Sequence, residues 1–191
     1  MIKDRFLLGI VSGLTGNAVK IALGSLAMKY NLSEFDGPVR ASSMLLPAHK
    51  ITGKRGKVVG YLADNIIAAT LGIVSVYALS ITGKDRATLK GALAGGMMWT
   101  ALYGVFGTMG ATRIRAALPK TALTEFFVQT VYGAVTATVA SKLGASGLFE
   151  NTIPLSASAV GRATTKNEDQ EPEEVNYTLY EPNHPGQPRV H

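Results

Sequence analysis

Between Lys90 and Arg113 the chain runs for 22 residues, Gly91 to Thr112, without a charge. At about 1.5 Å of rise per residue, a helix of that length crosses a hydrocarbon layer of roughly 30 Å. A soluble helix carries charges at nearly every turn of its wet face. Here the charges gather instead at Lys3–Arg5, Lys50–Lys57, Lys84–Lys90 and Arg113–Lys120, and the stretches between are almost free of them. That distribution predicts a small multi-pass membrane protein, with the lipid bilayer as its first partner.

Four apolar segments predict four helices, at about 6–28, 58–81, 88–110 and 122–143. In lipid each backbone group must be satisfied internally, so helices are the expected form of every span. The expected fold is therefore all-α: a four-transmembrane-helix bundle over residues 1–147. Residues 148–191 are expected to form a disordered tail, since residues 161–191 hold the acidic run Glu168–Glu174, four of the eight prolines and few aliphatic side chains. Tyr177 and Tyr180 within that tail read either as a docking motif or as plain solvated residues.

The first segment follows a basic start and ends in small residues, as a cleaved signal would. It is 23 residues long and contains Lys20, whereas a signal core runs about 7–15 apolar residues, so a retained helix is expected. In the connections, Gly83 suits a helix C-terminus, Asp85 a cap for the third helix, and Thr121 or Thr124 a cap for the fourth. Within the long connection from Lys29 to Lys57, the mildly amphipathic Pro38–His49 reads either as an interfacial segment or as an ordered loop.

Several function classes lose their support here. The chain has no cysteine, which excludes disulfides, thiolate catalysis and cysteine metal sites. His49, His184 and His191 lie at no metal-ligand spacing, so no metal and no cofactor are expected. The net charge of +6 divides into +9 over residues 1–150 and −3 over 151–191. The basic clusters flank apolar segments, which suits anionic headgroups. They are not interleaved with aromatics as a nucleic-acid surface would be, so nucleic acid is not an expected partner. The sequons at Asn31 and Asn176 fall on opposite sides of a four-span topology and carry no weight. Counted near the span ends, basic residues lean toward a cytoplasmic long loop with both termini outside.

Ionisable groups inside a span are the default functional candidates. Lys20 near the end of the first helix and Asp64 near the start of the second come to similar depth, because consecutive helices run antiparallel. Asn17 shares the face of Lys20, and Asn65 adjoins Asp64. Glu125 and Gln129, four residues apart on the fourth helix, enter from the same side. Lys20, Asp64, Asn17, Asn65, Glu125 and Gln129 thus form one candidate intramembrane layer, with Lys20 expected to pair with Asp64 or Glu125. The layer reads either as helix–helix glue or as part of a substrate or proton pathway. Gly9-xxx-Gly13, Gly91-xxx-Gly95, Gly96-xxx-Thr100-xxx-Gly104, Ala68-xxx-Gly72 and Gly133-xxx-Ala137 are the candidate packing surfaces. Trp99, mid-span, is expected to fill a packing gap.

Lys3-Asp4-Arg5-Phe6 with Gly9, Gly13, Asn17 and Lys20, then Gly60 to Asp64, Thr82-Gly83-Lys84-Asp85, Leu89-Lys90-Gly91 and Lys142-Leu143-Gly144 resemble uncharacterised four-helix membrane proteins of Gram-positive bacteria. A more distant likeness is to the YagU-like inner-membrane proteins, a group with a suggested link to acid resistance. Their fourth helix carries a Glu-x-Phe-x-His pattern. This chain reads Glu125-Phe126-Phe127-Val128-Gln129, so a histidine proton switch does not carry over. The resemblance implies a bacterial cytoplasmic-membrane protein with no activity to transfer. Taken together, the sequence leads to a non-enzymatic structural or accessory component. The alternative is a small proton- or ion-linked transporter or channel, which with four helices needs a homo-oligomer or another membrane protein to close a pathway.

Overall fold

A computed structural model describes residues 1–35, 37–51, 53–101 and 118–150. The second half of the expected third helix with Gly104, the basic 3–4 connection and the tail from residue 151 onward lie outside the described residues. The described residues form five α-helices: α1 (Arg5–Lys29), α2 (Gly37–Leu45), α3 (Lys54–Thr82), α4 (Ala87–Trp99) and α5 (Pro119–Leu143). Short 3₁₀ turns follow α2 at Ala48–Lys50 and α5 at Ser146–Leu148. The all-α class stands. Of the described helices, α1 and α3 are long and apolar enough to cross a membrane.

α1 lies between α3 and α5, α4 packs on α5, and α2 lies along α3. Each long interface is made of small residues. A Cβ added to Gly13 would strike the carbonyl of Ala68, and one on Gly72 would strike that of Gly9. On the other side of the bundle, Gly91 and Gly133 face each other's carbonyls, and Gly95 faces that of Gln129. The Gly9/Gly13 spacing on α1 therefore meets Ala68/Gly72 on α3, while Gly91/Gly95 on α4 meets Gly133/Ala137 on α5. Small residues let the backbones approach closely enough for such contacts.

The bundle has two unlike ends. Where α1 begins and α5 finishes, Leu8, Val76, Leu79, Ala140 and Phe149 form an apolar cluster covered by Ile2 and Leu148. Ile2 donates to Leu143 O at 2.7 Å and accepts from Ala145 N at 3.0 Å, strapping the N-terminus to the end of α5. Arg5 reaches Ser80 Oγ at 3.1 Å and the Leu148 carbonyl at 3.2 Å. The packed unit thus extends past the expected boundary at residue 147. Phe149, with 5% of its surface exposed, supplies the apolar burial that holds this segment down. The opposite end, where α1 finishes and α3 and α5 begin, carries the charges described below.

Three local expectations need correction. Asp85 does not cap α4: that helix starts after Arg86, a left-handed residue with φ 50° and no side-chain cap. Lys90 takes Asp85 instead, donating to its carboxylate at 3.0 Å and to the carbonyls of Thr82 and Gly83 at the end of α3. A cation is favoured at those carbonyls, and its hydrogen bond and charge hold the Asp85 carboxyl below the usual range. Neither Thr121 nor Thr124 caps α5, which begins at Pro119, the position where proline's fixed φ fits a helix start. Thr121 Oγ1 accepts from Glu34 N at 3.3 Å, and Thr124 Oγ1 donates to Leu32 O at 3.2 Å, so both hold the long loop. Finally, α3 starts at Lys54 rather than near residue 58, because the capless basic run Lys54–Lys57 joins the helix.

Gly133→Ala should force α4 from α5, since its Cβ lands on the Gly91 carbonyl. The expected loss is about 1–3 kcal/mol of stability, the usual range for overpacking. Gly24→Ala meets nothing within 4 Å and should be neutral or gain up to about 1 kcal/mol from helix propensity. Thermal unfolding in detergent checks both, and equal midpoints for the two variants would remove the close-approach argument.

Candidate functional site

α1, α3 and α5 each turn a stripe of small and polar residues inward. On α1 it runs through Ser12, Gly13, Gly16 and Asn17 to Lys20, and on α5 through Thr121, Gln129, Tyr132 and Thr136. These positions recur every three or four residues, so each set lies on one helix face. Where the stripes meet, the charged residues find partners. Lys20 Nζ lies 2.5 Å from Asp64 Oδ1, with 12% and 4% of the two side chains exposed. The N-terminus of α2 closes over them: a Cβ on Gly37 would sit 3.3 Å from Asp64 Oδ1 and 3.5 Å from Lys20 Nζ. A side chain there would crowd the pair, so glycine leaves it room. Beneath, the Lys20 ammonium stands 5.7 Å from the centre of the Tyr132 ring, within cation–π range. The Tyr132 hydroxyl donates to the Ala68 carbonyl at 2.7 Å.

A second ion pair lies beside the first. Arg40 Nη2 on α2 is 2.6 Å from Glu125 Oε1 on α5, and both side chains are mostly buried. Glu125 therefore pairs with Arg40, not with Lys20. Trp99 also interacts with the Glu125 carboxylate and packs edge-on against Phe126, centroids 5.6 Å apart. Beyond filling a gap, it thus closes the α4 side of the layer. Asn17 Nδ2 donates to Asn65 Oδ1 at 3.2 Å, and Asn65 Nδ2 donates to Tyr61 O at 2.8 Å. The six residues of the expected layer are thus brought to one end of the bundle, Gln129 standing between the two ion pairs.

Arg40, Trp99 and Tyr132 complete the layer and were not among its expected members. Tyr132 was detectable, being three residues from Gln129 and seven from Glu125 on one helical face. Arg40 was hidden because α2 is only nine residues long. The mildly amphipathic Pro38–His49 resolves into that helix and a 3₁₀ turn, with Pro38, Arg40, Ala41, Ser42 and Ser43 buried.

Two spaces flank this layer. An outer cleft of about 40 Å³ is lined by Phe35, Arg40, Trp99 and Glu125, and an inner cavity of about 70 Å³ by Met44, Asp64, Leu71 and Tyr132. Lys20 and Gln129 line both. Among the described residues no group of three or more His, Cys, Asp or Glu side chains is placed to hold a metal. Compared with family models, with curated proteins and with solved structures, the chain has no significant match.

The ion pair makes a measurable claim. Removing one partner of a buried pair typically costs about 3–5 kcal/mol, because the other charge is left unpaired. Lys20→Leu and Asp64→Leu should each fall in that range, and the double variant should recover most of the loss. A double-mutant cycle of unfolding in detergent reads this directly. Additive losses would mean that the two side chains do not depend on each other.

Proposed function

We propose that this chain is a four-span integral protein of the bacterial cytoplasmic membrane, non-enzymatic, serving as a structural or accessory component. One observation carries the reading: the packing is inverted relative to a water-soluble domain. In their most apolar windows, α1 and α3 have only 33% and 28% of residues buried. Large side chains point outward, among them Leu62, Ile66, Leu93, Met97 and Phe127, each more than half exposed. The interior holds Ser12, Asn17, Ser42, Ser80 and Thr136, all at 0% exposure. Such an apolar surface belongs against lipid rather than water. Ser12 and Ser80 bond back to carbonyls of their own helices at 2.7 and 2.9 Å, a local way to satisfy a hydroxyl where water is absent. Four spans assign α4 and α5 to the remaining two crossings.

A second reading, a proton-linked conduit formed by several copies, is favoured by the buried charges. The observation behind it is that Asp64 Oδ2 is buried without a hydrogen-bond partner among the described residues. A site that exchanges protons with its surroundings gives such a carboxylate oxygen a role.

The chain expressed in bacteria should remain in the membrane pellet after alkaline carbonate and enter solution only with detergent. Release by carbonate would end the integral-membrane reading. In proteoliposomes under a pH gradient, the accessory reading expects no more proton leak than in protein-free vesicles. A flux present in the wild type and lost in Asp64→Asn would replace it with the conduit.

A further inference from the structure

We infer that the outer cleft and the inner cavity form one water-filled vestibule, open at the long-loop end of the bundle and closed beyond Tyr132, whose ligand is a small water cluster bound to Asp64. The inference rests on the membrane placement proposed above and adds to it a ligand and a direction of access.

The volumes allow it. A water molecule needs about 10–15 Å³ of such space, together with roughly two to four polar partners. The inner cavity, about 70 Å³, offers the carboxylate of Asp64, the ammonium of Lys20 and the amide of Gln129. The outer cleft, about 40 Å³, offers Lys20 and Gln129 again, with Arg40 and Glu125. An apolar cavity stays dry, but one lined by charges does not.

The hydrogen bonding calls for it. Asp64 Oδ1 holds Lys20, and Oδ2 has no partner among the described residues. A carboxylate oxygen left bare in a low-dielectric interior is costly. The terminal torsion of an aspartate is broad, so a modest turn brings Oδ2 to the cavity that its residue lines. Water there completes the carboxylate, and through Gln129 it joins the Lys20–Asp64 pair to the Arg40–Glu125 pair.

The two ends of the bundle make the access one-sided. The cleft is lined by Ser33, Phe35 and Gly37 of the long connection and by Thr124 near the start of α5. In the other direction Gly13 meets the Ala68 carbonyl, and Gly16 meets the Thr136 hydroxyl and the carbonyl and ring of Tyr132, leaving no room even for a methyl group. Past that seal lie Leu8, Val76 and Phe149. Protons on the Lys20–Asp64 pair therefore exchange with the compartment that faces the long loop.

The absence of native cysteine makes single-cysteine variants clean reporters. Four are needed: Val128→Cys in the cleft, Met44→Cys and Leu71→Cys at the inner cavity, and Val76→Cys in the sealed end. Silver ion, a thiol-binding cation near the size of water, is added to one side of sealed membrane vesicles. Thiols left free are then counted with maleimide after denaturation. The side of the loop is fixed by Lys57→Cys and a bulky impermeant thiol reagent. The cleft and both inner cysteines should be blocked from the loop side only, and Val76→Cys from neither. Adding Gln129→Leu should slow blocking of the inner cysteines about tenfold or more by drying the neck, and leave Val128→Cys unchanged. Inner cysteines blocked from both sides, or from neither while Val128→Cys reacts, would overturn the vestibule. Having two inner positions guards against one variant failing to fold. Carbonate release of the wild-type chain would remove the membrane reading and this inference with it, an outcome distinct from a membrane-bound chain with a dry cavity.

Discussion

The structure depends on how closely α1 approaches its neighbours. It touches α3 on one side, where Gly9 and Gly13 meet Ala68 and Gly72 backbone against backbone, and α5 on the other, where Gly16 meets the Thr136 hydroxyl and Tyr132. Cohesion at these interfaces comes from close packing, with the large Tyr132 side chain buried among the three helices, and from hydrogen bonds across short distances. The same closeness brings the polar side chains on three helices within reach of one another. Lys20 meets Asp64, Asn17 meets Asn65, and Tyr132 reaches the Ala68 carbonyl. A larger residue at Gly13 or Gly16 would separate the helices and leave these groups unpaired.

That closeness does not extend evenly along the bundle. At the end holding the N-terminus, aliphatic side chains and Phe149 fill the interior. At the long-loop end, two cations and two anions fill it, and α2 folds inward to supply one of the four. Each cation in the layer faces an anion, which suits a site away from bulk solvent. An isolated charge at the centre of a membrane helix costs about 2.5–3.5 kcal/mol on insertion scales. Pairing offsets much of that cost without providing every hydrogen bond, as the second oxygen of Asp64 shows. The bundle thus has an apolar, tightly packed end and an end that carries paired charges.

Much of this was legible in the sequence because it depends on spacing. The antiparallel order of consecutive helices put Lys20 and Asp64 at similar depth, and helical periodicity put Glu125 and Gln129 on one face. The glycine spacings marked which faces would be packed, though not which would meet. Arg40 was illegible for a physical reason: a helix of nine residues is marginal alone and forms here because its polar face is buried on α3. Asp85 was misread because sequence offers a capping residue its own backbone and cannot show a lysine arriving from the next helix. Leu148 and Phe149 looked like the start of a tail because two apolar residues carry no periodicity, while their burial depends on a pocket built by distant segments.

The sequence by itself determined the helical class, the apolar segments and the small-residue and polar faces, because these follow from local periodicity and from the positions of charge. Only the tertiary structure decided the pairings: Glu125 with Arg40 rather than Lys20, α1 between α3 and α5, and Gln129 between two cavities. Pairing is a competition among groups of similar chemistry at similar depth. Its outcome turns on differences of a few ångströms that arise only once the helices are packed.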